Sequence, residues 1–215
     1  MALSTATGMS QAAPEKVGPP VEPGWILAKL QRPLPASTPF LELRGSRLLK
    51  APLRISGRYL RPDADTLVRD VTSPYLETTT LSGGVARVAR TGQKTRTFKL
   101  ARAPELAALL SSFGALLSGD RGSLERHYIL AATGTTGHWQ LLLTPRDKAM
   151  ATKTRGIVLH GRGSELRCIE TRTPAGEPQR TLLAGAARVG ALIPDAQALA
   201  ALCHGNGHGH GHGKG

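Results

Sequence analysis

From Thr38 onward the chain alternates apolar and polar residues in short runs broken by glycine and proline, the pattern of antiparallel strands rather than of βαβ units. Runs over residues 40–49, 53–60, 66–71, 76–81 and 85–89 are punctuated by Lys50-Ala51-Pro52, Ser73-Pro74 and Ser82-Gly83-Gly84. Strands resume over 126–132, 138–144, 154–161, 165–173 and 179–184. A spacing of about ten residues suits an antiparallel meander. Within one run Trp139, Leu141 and Leu143 share a face, and His138, Gln140 and Leu142 share the other.

Mid-chain the period changes. Residues 104–117 place Leu106, Leu109, Leu110, Phe113, Leu116 and Leu117 at three- and four-residue steps, which predicts a helix burying one stripe. Pro104 and Glu105 suit its first turn and Gly119 its end. Short helices are also expected over 25–31 and 195–202, the second capped by Asp195. About ten strands cannot lie flat with both edges exposed. The expected fold is therefore mainly β: an antiparallel sheet curled into a barrel-like shape, with the mid-chain helix covering its concave face.

Composition narrows the function classes. Lys and Arg total 28 against 15 Asp and Glu, a net charge of +13 that favours anionic partners. No apolar run approaches the roughly 18 residues of a membrane-spanning helix. Nucleic-acid or anionic-surface binding is the competing class, but the cations are scattered along strands and aromatics are only 4%, too few to stack bases, so no nucleic-acid partner is expected. Ser111, Ser112, Ser118 and Ser123 lie in no nucleophile elbow. His127 and His138 have no partner at motif spacing, and no phosphate loop is present. An enzyme and a cofactor are not expected.

The two ends read as linkers. Residues 1–24 carry Pro14, Pro19, Pro20 and Pro23, and Ser10-Gln11-Ala12 resembles the small-residue end of a secretory signal without its basic and apolar regions. This segment is either the remnant of a leader or a loose linker. Residues 204–215 form a His/Gly tail whose His208, His210 and His212 could chelate Zn²⁺ or Ni²⁺ weakly, with nothing to fix four ligands. No dedicated metal site is expected.

The segment GRYLRPDADTLVRDVTSPYLETTTLSGGVARVAR, with Arg61-Pro62, Ser73-Pro74 and Ser82-Gly83-Gly84 between its strands, resembles the LolA family of periplasmic outer-membrane lipoprotein carriers. The order of ALLSGDRGSLERHY, GHWQLLLTPRDK and RGIVLHGRGSELRCIETRTPAGEPQRTLL is similar to that family's second half, so the resemblance spans about residues 25–187. A short first helix, Thr66-Leu67-Val68 where the family commonly has tryptophan, and few aromatics are closer to members encoded beside lipid or aryl-polyene biosynthesis genes.

The resemblance implies an unclosed antiparallel β-barrel of about ten strands with a helical lid over an apolar cavity, a domain over 25–203 that carries acyl chains of lipoproteins or lipids across the periplasm as a monomer. It would receive them from an inner-membrane exporter and pass them to an outer-membrane acceptor, touching anionic membrane surfaces transiently. Leu41, Leu43, Leu60, Leu67, Trp139, Leu141 and Leu143 would line the cavity, Leu109, Leu110, Phe113 and Leu116 would form the lid, and Arg61 would latch it. In an oxidising periplasm Cys168 and Cys203 either pair, closing a loop that stabilises by about 3–4 kcal/mol, or remain free thiols.

Overall fold

In the computed structural model, described over residues 19–44, 53–102, 114–116, 118–174 and 177–205, the alternation resolves into eleven strands. These are β1 (Ala36–Arg44), β2 (Leu53–Arg61), β3 (Leu67–Ser73), β4 (Glu77–Ser82), β5 (Val85–Arg90), β6 (Arg96–Lys99), β7 (Tyr128–Gly134), β8 (Trp139–Pro145), β9 (Gly156–Arg162), β10 (Glu165–Arg172) and β11 (Gln179–Leu183). One sheet holds them in the order β6-β5-β4-β3-β2-β1-β11-β10-β9-β8-β7. Each consecutive pair in that order is antiparallel, and β6 and β7 form the two free edges, so the barrel is unclosed. The first and last strands meet in the middle, with Phe40 opposite Leu183.

Among the described residues five helices have complete bounds: α1 (Pro23–Leu30), α2 (Arg121–His127), α3 (Lys148–Ala151), α4 (Ala184–Gly190) and α5 (Ala196–Cys203). Proline in the first turn of α1 costs no intrahelical bond, and its apolar positions Ile26, Leu27 and Leu30 are fully buried against the inner face. Pro20 bridges to Thr135 and Val21 is buried, so the ordered body takes in residues ahead of Trp25.

The two faces carry separate cores. Inside, Ile26, Leu27 and Leu30 pack with Phe40, Leu116, Leu124, Trp139, Leu141 and Leu159. Outside, Ala186, Ala187, Leu199 and Leu202 of α4 and α5 pack on Leu41, Leu43 and Leu182. The approach of α4 is close because its facing residues are small: a Cβ on Gly190 would lie 2.6 Å from Leu182 Cδ1. Arg54 secures the end of α4 from the sheet, donating to the Gly190 and Ile193 carbonyls at 2.9 and 2.6 Å. Cys168 on β10 and Cys203 at the end of α5 form a disulfide, with Cα atoms 5.1 Å apart.

Several local expectations change. The strand expected over 126–132 begins at Tyr128; Arg126 and His127 finish α2 instead. Asp120 caps that helix, its carboxylate accepting from the Ser123 N–H at 2.9 Å, and Arg121 pairs with Glu125 one turn on. β1 starts at Ala36, ahead of the expected run, and residues 45–49 lie outside the described chain. Of the helix expected over 104–117, residues 114–116 are described, and they are helical. The strand β6 and the helix α4 had no counterpart in the sequence pattern.

Candidate functional site

The residues expected to line one cavity divide between the two faces. Leu41 and Leu43 belong to the outer core under α4 and α5, and this corrects their expected role. Leu60 also faces outward, lining a shallow surface recess with Pro35, Pro62 and Val68. The cause is alternation: Arg61 and Tyr59 point inward, so Leu60 between them cannot. Trp139, Leu141, Leu143 and Leu116 do face inward, but they are packed core beneath α1 rather than walls of an open space. Leu109, Leu110 and Phe113 lie outside the described residues.

Open space remains on the other wing of the inner face. A groove of about 500 Å³ runs between β3–β5 and the segment around residues 114–123, with Leu67, Leu81, Leu100 and Ala115 beside Asp65, Thr66, Ser82 and Asp120. A smaller recess of about 70 Å³ lies beyond it, between Leu30, Tyr59, Leu166 and Leu183. Arg61 borders both. The guanidinium-bearing residue is only 7% exposed, yet no ion pair or hydrogen bond of its side chain is found among the described residues. Its planar guanidinium offers several donors at the groove wall. It therefore favours any acceptor that enters the groove.

Behind this site the inner face is polar. Glu42 accepts from Arg69 at 2.7 Å and from Arg44 at 2.6 Å, and Arg69 reaches Glu77 at 3.8 Å. Arg69 also lies 4.9 Å from the centre of the Phe40 ring, which is itself 4.7 Å from Tyr59. Burial pushes the Tyr59 hydroxyl above its ordinary range against the opposing pull of Arg69, so the phenol stays neutral. Nothing in the hydrophobic pattern singles out Glu42, Tyr59 or Arg69. The one signal available is that each is a polar residue at an inward position of its strand.

A second cluster occupies the outer face. Glu170, 3% exposed, accepts from Arg172 and Arg180, each at 3.1 Å, and its Oε2 is 3.1 Å from His204 Nε2. Burial alone would raise this carboxyl, but the bonds from His204 and Arg172 and the charge of Arg180 outweigh it and hold the group below its ordinary value. The His160 ring centre is 5.1 Å from that of His204. Burial, reinforced by His204 and partly offset by Glu170, pushes His160 down to about 4.

Comparison with known proteins gives a family match across nearly the whole chain. A family model described as outer membrane lipoprotein carrier protein LolA-like matches residues 12–207. No curated protein matches the chain. Among solved structures, a LolA superfamily protein from Nitrosomonas europaea is similar at 13% identity, covering 73% of this chain and 74% of that one, with a TM-score of 0.37. The MucA/MucB complex of Pseudomonas aeruginosa is similar at 18% identity, covering 82% of this chain and 58% of that one, also with a TM-score of 0.37.

Proposed function

The chain belongs to the outer membrane lipoprotein carrier protein LolA-like family, and from that membership we propose that it is a periplasmic carrier sheltering the acyl chains of a lipoprotein or lipid on their way to the outer membrane. The observation that best supports this reading is the groove on the β3–β5 wing, where Leu67, Leu81, Leu100 and Ala115 offer apolar wall and Arg61 a guanidinium with no hydrogen bond or ion pair among the described residues. That pairing suits an amphiphile: the chain lies along the leucines while a carboxylate or carbonyl near its head accepts from Arg61.

Transfer by such a carrier makes and breaks no covalent bond. Burying a methylene contributes about 0.8 kcal/mol, so a chain of ~15 methylenes gains at most roughly 12 kcal/mol, close to what leaving a bilayer costs. A carrier need only match the membrane, and a groove with mixed walls does so while permitting release. The working unit on this reading is the body over 25–203, with residues 104–117 as the lid, an inner-membrane exporter as donor and an outer-membrane acceptor. The net charge of +13 would draw the carrier to anionic surfaces at either end.

An environment-sensitive fluorescent fatty acid tests the reading. The purified protein is expected to take it up at micromolar concentration, and Leu67→Asp and Leu81→Asp each to weaken uptake at least tenfold while circular dichroism stays unchanged. Absence of uptake by the intact protein, or uptake indifferent to both substitutions, would overturn it.

A further inference from the structure

We propose that the outer face of the sheet binds a tetrahedral oxyanion of the phosphomonoester class, in a recess walled by Arg162, Arg167 and His160. The site is on the opposite face from the groove and stands independently of the carrier reading.

The recess, about 150 Å³, lies at the end of the sheet where the turns after β7 and β9 meet, against the end of α5. Its walls are held in place. The Gly163 N–H donates to the Thr136 carbonyl at 3.1 Å, joining the two turns, and the Cys168–Cys203 disulfide ties the end of α5 to β10. An irregularity in the sheet then delivers the first cation. Leu166 pairs with Gly161 and Cys168 with His160, so Arg167 between them has no cross-strand partner. An extra residue of this kind bends its strand and re-aims its side chain. Arg167 lines the recess, and its Nε is buried with no hydrogen-bond partner among the described residues. Arg162, the last residue of β9, lines the same recess from an exposed position.

His160 supplies the independent pointer. It lines the recess, is 6% exposed, and its Nε2 has no hydrogen-bond partner among the described residues. Buried polar atoms in folded proteins are nearly always satisfied. With its proton on Nε2 this ring donates to an oxygen that enters the recess. Thr133 and Gln140 add neutral donors from the exposed side.

Charge and size select the ligand. No carboxylate lines the recess among the described residues. Glu170 comes within 4.8 Å of a His160 ring nitrogen, but it is already engaged by Arg172, Arg180 and His204, each at 3.1 Å. The opposing force is the C-terminal end of α5, which carries about half a negative charge. Its Ala200 and Leu202 carbonyls accept from the His204 and Gly205 N–H groups, and two guanidinium charges outweigh what is left. A guanidinium fork matches two oxygens of a phosphate, and two arginines balance the nearly two charges of a phosphomonoester near neutrality. Sites that enclose a whole small molecule measure about 300–1,000 Å³. This one takes a single phosphoryl group and leaves whatever bears it outside.

Calorimetric titration of the disulfide-intact full chain with inorganic phosphate and with glycerol phosphate, in physiological chloride, tests the site. One equivalent of each should bind at submillimolar concentration. Arg162→Gln and Arg167→Gln should each weaken binding at least tenfold, as loss of a charge-assisted contact does, and Arg167→Lys should restore only part of it. Arg96→Gln removes the same charge from β6, at the far edge of the sheet, and should change nothing. If Arg167→Gln fails to fold, Arg162→Gln against Arg96→Gln decides the matter, since both residues are exposed. Cosedimentation with phosphatidylcholine vesicles, with and without phosphatidic acid, separates the sources of the group. Binding to phosphatidic acid that Arg162→Gln erases assigns a lipid headgroup; calorimetric binding without that preference assigns a soluble phosphomonoester. Failure of phosphate and glycerol phosphate to bind saturably would overturn the proposal, as would equal losses in Arg162→Gln and Arg96→Gln.

Discussion

The indole of Trp139 occupies the space that a side chain on its cross-strand partner Gly161 would need: a Cβ there would lie 2.0 Å from Trp139 Cζ2. The same ring donates from Nε1 to the Gly163 carbonyl at 2.9 Å, so the tryptophan is located by a missing side chain on one side and a turn carbonyl on the other. This arrangement anchors the inner core beneath α1.

Gly161→Ala is therefore expected to destabilise the protein by about 1–3 kcal/mol through overpacking. Urea denaturation gives the loss, and the tryptophan emission of the folded variant should shift to the red as the indole is displaced. A variant of unchanged midpoint and emission would mean that the ring moves aside without cost.

Arg54→Ala removes a charged donor from the Gly190 and Ile193 carbonyls. Hydrogen bonds to a charged group contribute about 1.5–3 kcal/mol, so a loss of that order is expected. Hydrogen exchange should accelerate over 184–203 and stay slow around Leu141. Uniform acceleration would assign Arg54 to the sheet as a whole instead.

Acid should weaken the fold through His160. The folded protein holds this ring neutral down to about 4, whereas the unfolded chain protonates it at 6.5, so the unfolded state binds more protons between those values. Stability is then flat above about pH 6.5 and falls as pH drops toward 4. Around His160 stand His204, Glu170, Arg172 and Arg180, and Glu170 adds its own loss only below about 4.5. Between pH 7.5 and 4.5, with chelator present, His160→Gln should remove a dependence on the order of 1–2 kcal/mol after allowance for solvent screening. Parallel pH profiles of the two proteins would exclude His160 as the source.

Arg61→Leu should leave the fold of the empty protein intact, because no hydrogen bond or ion pair of this side chain is found among the described residues. The same change should cut affinity for a fatty acid at least tenfold while sparing the matching alkyl alcohol, which accepts more weakly from a guanidinium. Equal losses for both ligands would reduce Arg61 to a matter of shape.

The strand pattern was legible wherever glycine or proline marked the turns, as at Ser82-Gly83-Gly84 and Gly163, and the antiparallel sheet follows from that alternation, whereas its open edges at β6 and β7 were expected only from the family resemblance. The faces were not. β1 buries Phe40, Leu41 and Leu43 alike because helices cover both sides of the sheet's centre, and alternation states which residues share a face, not which face is concave. Residues 126–132 read as one strand because the cap that turns Arg126 and His127 into helix sits earlier, at Asp120. The helix α4 is built of small residues with glycine near both ends, so no apolar stripe announces it; its fit is visible only against Leu41 and Leu182. Arg69 and Glu42 meet across three strands, and His160 and His204 meet through a helix packed on the sheet, distances that no local window spans.

Pairing between β1 and β11 also dictates an order of assembly. Phe40 must wait for Leu183, about 140 residues later, before the two wings of the sheet can join, and contacts of that separation make folding slow. Until the last strand arrives, β1 and β10 each present a bare edge flanked by apolar faces that α4 and α5 have not yet covered. The hairpins from β1 to β6 can pair from the front end as the chain emerges, but the wing they make cannot join the other without β11. The junction at the centre of the sheet therefore stays open until β11 is available, which makes it the last part of the fold to close.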